Sequence, residues 1–232
     1  MDLDEAGSVG GFFALRTDAP ADGSHQPLGR VYAVGAAPLA ARVALVGARL
    51  RSPEYRVAAS IAHLGLAARL WSIALGSAAL YGEFPDLSPG SLHWDGTLAS
   101  PDDLWWEPGR TRPGTVEEIR EAVQLGHLVP LAEALRRGGP VSPRLLWGNA
   151  GSALGGALRE LTRWAHTHGR PDAARRAASL TAGLLDHPDL AGTVRGPDLR
   201  RRSCCLYYRC PGGGLCGDCV FDRPPRPAPA TG

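Results

Sequence analysis

All five cysteines of this 232-residue chain fall within sixteen residues near its C-terminal end: Cys204, Cys205, Cys210, Cys216 and Cys219. Soft thiolates gathered in this way suit zinc or an iron–sulfur cluster. Cys216 and Cys219 form a Cys-x-x-Cys pair, whose tight turn lets two sulfurs reach one ion or one edge of a cluster. Cys204 and Cys205 are adjacent, so their side chains start out pointing apart. Gly212, Gly213 and Gly214 lie between the pairs and supply backbone free to take positive φ and fold one pair over the other. Such backbone can also aim N–H groups at anionic sulfur.

Two adjacent cysteines, ten residues and then Cys-x-x-Cys closely resemble the C-terminal signature of the FhuF-type ferric siderophore reductases. The resemblance extends to Arg56-Val57-Ala58-Ala59-Ser60, Ala68-Arg69-Leu70-Trp71-Ser72 and Leu146-Trp147-Gly148-Asn149, and so to most of the chain. It implies a [2Fe-2S] cluster held by Cys204, Cys205, Cys216 and Cys219, which are then both metal ligands and the redox site. It also implies one-electron reduction of siderophore-bound Fe(III) to Fe(II) inside the bacterial cell. Cys210 departs from the family pattern. It reads as a small apolar filler beside Pro211, or, if exposed, as a spare oxidisable thiol.

The neighbouring residues are polar and basic. Arg201, Arg202 and Arg209 can moderate the negative charge of a thiolate-bound cluster or present a positive rim to a substrate or donor. Tyr207 and Tyr208 can pack over the cluster or touch substrate. Nothing resembles a dinucleotide or flavin fingerprint, since the triple glycine follows no expected strand and opens no helix. A ferredoxin or an NAD(P)H-linked reductase is therefore the expected electron donor.

Composition narrows the class. The net charge of +2 gives no case for nucleic acid, and all 25 basic residues other than histidine are arginine. The acidic first residues carry no apolar run, and the weakly polar stretch 70–81 is too short to span a bilayer. No transmembrane segment is expected, and only peripheral membrane contact stays open. An odd cysteine count in a chain with room for a large core argues for thiols kept reduced in the cytoplasm.

The elements that must hold this site are mostly helical. Short strands are expected at 12–17 and 31–34, with a polar loop at 18–27. An amphipathic helix is expected at 38–51, with Leu39, Val43, Val46 and Leu50 at three- and four-residue steps. Residues 54–75 form the most apolar helix, broken by Gly76, in which Arg69 requires a partner: an internal carboxylate or an anionic ligand. Its Arg56-Ser60-His63 stripe reads as a polar face. Proline and tryptophan spacing at 84–113 fits two strands, 92–94 and 104–106, whose tryptophans brace a sheet or line a groove.

Further helices follow at 115–125, from Pro130 to 138, at 144–167 and at 171–185. The glycines of the 144–167 helix suggest close helix–helix approach. The expected architecture is α+β and mostly α-helical: a helical body at 1–198 with a small antiparallel sheet, an iron–sulfur loop at 199–221 and a disordered proline-rich tail at 222–232. Two rival functions use the same cysteines. One is a Cys₄ zinc module, structural or regulatory; the other is an iron–sulfur electron carrier or redox sensor without a siderophore substrate.

Overall fold

The computed structural model describes residues 1–18 and 24–225, so most of the proline-rich tail lies outside the described residues. In chain order the elements are α1 (Leu3–Gly7), β1 (Gln26–Pro27), α2 (Leu28–Val31), α3 (Ala37–Leu50), α4 (Tyr55–Tyr81), β2 (Glu83–Pro85), β3 (Leu92–Trp94), β4 (Leu104–Trp106) and β5 (Thr111–Pro113). There follow α5 (Val116–Ile119), a π-helical stretch Arg120–Leu128, α6 (Val129–Gly138), α7 (Pro143–Thr167), α8 (Pro171–Leu185), β6 (Val194–Arg195), β7 (Arg200–Arg201) and a 3₁₀ turn Tyr207–Arg209. The class is α+β and mostly helical, with small antiparallel sheets ordered β1-β3-β4, β2-β5 and β6-β7.

α4 is the axis of the body, and α3, α7 and α8 pack around it. It is apolar on nearly every side, as a helix covered on several faces must be. By length and composition it could cross a membrane, yet 78% of its most apolar window is buried inside the protein. The helix also runs through Gly76 to Tyr81 rather than breaking there. A Cβ on Gly76 would stand 2.6 Å from Phe13 Cδ1, so this glycine makes room for a ring packed on the helix. Arg69 finds an internal carboxylate: its Nε donates to Asp103 Oδ1 at 2.9 Å, and its remaining N–H groups reach the carbonyls of Gly11, Phe12 and Pro101.

Two short strands expected near the N-terminus are absent. Residues 31–34 close α2 and enter a turn, because Val31 and Tyr32 bury themselves against the body and have no neighbouring strand to pair with. Of residues 12–17, only Arg16 makes a bridge, to Trp105. The expected pair β3–β4 forms, with Leu92 opposite Trp106 and Trp94 opposite Leu104. Trp94 and Trp106 are buried, so these two brace the core. The break expected between 125 and Pro130 is also absent. A π-helical stretch carries the chain through, with the Val129 N–H on Gln124 O, and Pro130 sits in the first turn of α6.

His63 and His127 are buried and neutral. His127 Nδ1 accepts from the Tyr32 hydroxyl at 2.9 Å, and its Nε2–H donates to the Leu87 carbonyl. Of the polar Arg56-Ser60-His63 stripe, Arg56 is exposed while Ser60, hydrogen-bonded to the Cys205 carbonyl, and His63 are buried. Burial holds His63 down to about 3 and His127 down to about 4. In the unfolded chain both take up a proton near pH 6.5. Their contribution to stability is therefore complete above that pH and is lost as the pH falls from about 6.5 towards 4. The expected slope is about 1.4 kcal/mol per pH unit for each histidine. Urea unfolding at about pH 7 and pH 5 measures it, and an unchanged stability would contradict the neutral burial.

Candidate iron–sulfur site

The cysteine segment is seated on α7 by glycine. A side chain at Gly148 would overlap Ser203, one at Gly151 would overlap Thr193, and one at Gly155 would stand 3.1 Å from Leu199 Cβ. The stripe that suggested helix–helix contact instead receives the β6–β7 hairpin and the residues that lead into the cysteines. Arg202 N–H donates to Thr193 O at 2.8 Å, which closes that hairpin beyond the paired Val194 and Arg201.

Below the segment lies a buried polar network that ties it to both central helices. Asn149 on α7 donates from Nδ2 to Ser60 O at 2.9 Å and to Ser60 Oγ at 3.0 Å. Ser60 Oγ on α4 donates in turn to the carbonyl of Cys205 at 2.8 Å. Arg201 completes the network, with Nη2 on Asn149 Oδ1 and Nε on the carbonyl of Ser203. Arg201 has no exposed surface, and its Nη1 has no hydrogen-bond partner. Asp218 clamps the far side: its carbonyl accepts from the Arg201 N–H and its carboxylate from Ser152 Oγ.

The loop then folds the thiols together. Leu206 takes a left-handed φ of 69°, and its N–H donates to Cys204 Sγ at 3.2 Å. After the 3₁₀ turn, Gly212 at φ 73° reverses the chain, and Gly213 lies so close to Tyr207 O that no side chain fits. Cys219 N–H bonds Cys216 O at 3.0 Å, which closes the Cys-x-x-Cys turn. Cys205 Sγ and Cys216 Sγ end 3.8 Å apart. Two thiolates on one tetrahedral ion, each about 2.3 Å from it, stand at about that separation. Among the described residues, no group of three or more His, Cys, Asp or Glu side chains is arranged to hold a single metal ion.

The thiols sense one another. Cys205, more than the Leu206 N–H or the Arg201 charge, brings Cys204 down to about 7 against the effect of burial. Cys204 in turn raises Cys205, and Cys205 together with burial raises Cys216 strongly. Burial, with a smaller contribution from Cys216, raises Cys219. Cys210 is raised by burial and the Glu54 charge, with no contribution from another thiol. The shifts of Cys204, Cys205, Cys216 and Cys219 each carry a contribution from another thiol, and that of Cys210 does not.

Residues 80–203 match the family model described as ferric iron reductase FhuF-like transporter, which covers more than half of the chain. Residues 201–221 match the FhuF 2Fe-2S C-terminal domain. The chain belongs to the FhuF family. It is also 28% identical, over 144 residues, to a ferric siderophore reductase of Escherichia coli (strain K12). That match covers 59% of this chain and 55% of the relative, so the chain spans about half the length of the curated relative it matches.

The site of this FhuF-family chain fits the [2Fe-2S] group of its C-terminal domain. The donor set is soft, and beside it lies a buried guanidinium with one N–H group unspent, a suitable neighbour for an anionic cluster. The basic residues noted in the sequence separate into two kinds. Arg201 lies inside the protein and is not part of a solvent rim, whereas Arg202 and Arg209 are exposed. Arg209 Nε donates to Glu54 Oε1 on the approach to α4 at 2.8 Å. Tyr208 packs edge-on against Phe221 with ring centroids 5.8 Å apart, and Tyr207 is 36% exposed. Cys210 is buried, which suits the filler reading.

Ser60, Asn149, Asp218 and Glu54 were not singled out from the sequence. Ser60 and Asn149 lie in segments that resemble the family, but no spacing rule gives a role to a lone polar residue in an apolar helix. Arg201→Leu removes the buried cation beside the thiols. We expect the midpoint potential of the reconstituted centre to fall by about 60–120 mV, a ten- to hundredfold change in a one-electron equilibrium. Arg201→Lys should recover part of that loss, and Arg202→Leu, at an exposed position, should shift the potential little. A redox titration followed by electron paramagnetic resonance reads all three.

Proposed function

We propose that this protein is a ferric siderophore reductase of the cytoplasm. In this reading Cys204, Cys205, Cys216 and Cys219 hold the [2Fe-2S] centre, residues 1–198 form the supporting body, and 199–221 form the cluster segment. The observation that carries the reading is the approach of the two cysteine pairs across the loop, Cys205 Sγ to Cys216 Sγ at 3.8 Å, within the segment that matches the FhuF 2Fe-2S C-terminal domain. A relative that bears the name ferric siderophore reductase, 28% identical over the matched region, supports a ferric siderophore as the substrate class.

Bound there, a four-thiolate [2Fe-2S] centre supplies single electrons at low potential, near about −400 mV for plant-type centres. The chain's own residues hold it and shield it. The Leu206 N–H stabilises negative charge on Cys204 Sγ, and Arg201 offsets the charge of the thiolates from below. Ser60 and Asn149 fix the backbone at Cys205, while the Gly213 turn brings the second pair over the first.

The substrate itself explains why no acid–base group is required. A siderophore grips Fe(III) through hard, often anionic oxygens, and Fe(II), with one charge less, binds the same donors far more weakly. Adding one electron therefore loosens the chelate with no bond made to the protein. The electron comes from a separate ferredoxin or NAD(P)H-linked reductase.

Two variants test the ligand set. Cys216→Ser, purified without air, should lose the visible absorption together with iron and labile sulfide, whereas Cys210→Ser should retain a near-native spectrum. A colourless Cys210→Ser protein would overturn the assignment, and zinc in place of iron in the native protein would favour the zinc module. Stopped-flow oxidation of the dithionite-reduced protein by a panel of ferric siderophores tests the activity. If no chelate accelerates reoxidation, the protein is an electron carrier or sensor.

A further inference from the structure

A cavity of about 600 Å³ opens between α3, the start of α4 and α6. Its walls are apolar: Leu39, Val43 and Ala44 on α3, Ala58 on α4 and Ala134 on α6. Its volume lies well within the range of about 300–1,000 Å³ found for pockets that enclose organic ligands. Val34, which lines it, is 84% exposed.

Its position connects it to the cysteines. Glu54 lines the cavity and accepts a hydrogen bond from Arg209, which stands on the loop between the two cysteine pairs. Six residues along α4 from Glu54, a rise of about 9 Å, Ser60 donates to the carbonyl of Cys205. Two charged residues line the cavity, Glu54 and Arg137, of which Arg137 also lies 3.9 Å from Glu133, and two further arginines stand behind Glu54. Arg56 and Arg209 both face the single Glu54 carboxylate, and Arg137 stands opposite with Nη2 on the Tyr32 carbonyl. Arg209, then Arg56, hold the Glu54 carboxyl below its usual range, so it stays ionised and its two partners outnumber it.

We propose that this cavity seats the ferric chelate itself: the apolar organic shell lies on α3 and α6, and the iron with its anionic oxygens faces these arginines and the cysteine loop. The inference rests on the reductase reading and adds the place and the ligand class, a neutral or anionic ferric chelate with an apolar periphery. In the step it serves, one electron leaves the reduced [2Fe-2S] centre and the chelated iron passes from ferric to ferrous. No bond to the protein forms, and the separate donor restores the electron. A smaller cavity of about 310 Å³, beside Arg144, Trp147 and Ser203, is at the bottom of the size range and more polar at its walls.

The test uses a gallium(III) trihydroxamate, which matches the ferric chelate in charge and shape but takes up no electron, titrated calorimetrically into full-length oxidised protein. Ala40 and Ala44 are exposed on the α3 wall, so tryptophan at either position fills the cavity without entering the core. Ala44→Trp, and separately Ala40→Trp, should weaken gallium-chelate binding at least tenfold while leaving the visible spectrum and Tm unchanged. Arg144→Ala should leave binding within twofold. Native-like affinity in both tryptophan variants, or loss in Arg144→Ala instead, would overturn the assignment and point to the smaller cavity. If the native protein binds no gallium chelate while ferric chelates still reoxidise it, the cavity proposal fails and the reductase reading stands. If no ferric chelate reoxidises it, both fail together.

Discussion

A buried arginine has to be answered, and Arg201 makes that demand at the base of the cysteine segment. With no exposed surface, its guanidinium forgoes water and depends on Asn149, the Ser203 carbonyl and whatever negative charge the thiolates carry. Leaving a buried charge unmatched typically costs about 3–5 kcal/mol, a large part of the stability of a domain. The arrangement is therefore reciprocal. Negative charge on the nearby sulfurs offsets the burial of that cation, and the cation offsets the charge of sulfurs held as anions. Arg69, farther along α4, meets the same requirement with a carboxylate, Asp103.

The glycines of α7 show what the seating requires. Each glycine inside a helix costs about 1 kcal/mol relative to alanine. Gly148, Gly151 and Gly155 offset that by letting Ser203, Thr193 and Leu199 approach the helix axis. Close approach brings Arg201 within reach of Asn149, and so of Ser60 and Cys205. The backbone cost of the helix and the placement of the ligands are thus parts of one arrangement, in which removing a glycine displaces the charge that the cysteines share.

The cysteine spacing and the main helices could be read from the sequence because each is a local pattern: sulfur type at fixed intervals, apolar residues at 3.6. Arg69 revealed its need for a carboxylate in the same way, although not which one. What escaped was set by tertiary contact. Gly76 reads as a helix break until Phe13 is packed on it, and His63 reads as a solvated or hydrogen-bonded residue of a polar stripe, whereas the fold buries it. Pro130 reads as a helix start until a π-helical stretch leads into it. The separation of Arg201 from Arg202 was equally hidden, since neighbouring residues on a strand face opposite ways and only the seating shows which side is inside.

That alternation has a functional consequence. Along β7 and its continuation, Arg201 points into the body while Arg202 points to solvent, and the cysteines divide in a similar way: Cys205 and Cys219 are buried, Cys204 and Cys216 half-buried. A centre held by these four thiols, as proposed, would have a sheltered side, where fixed dipoles and Arg201 act at low dielectric, and an open side, where charge is screened. Potential is set most strongly from the sheltered side, because a charge–charge interaction grows as the dielectric falls. Electron exchange with a partner or a chelate needs the open side. In the proposed reading, residues 199–221 would combine in one short segment two requirements that conflict on a single surface, with the network of Arg201, Asn149 and Ser60 on the sheltered side.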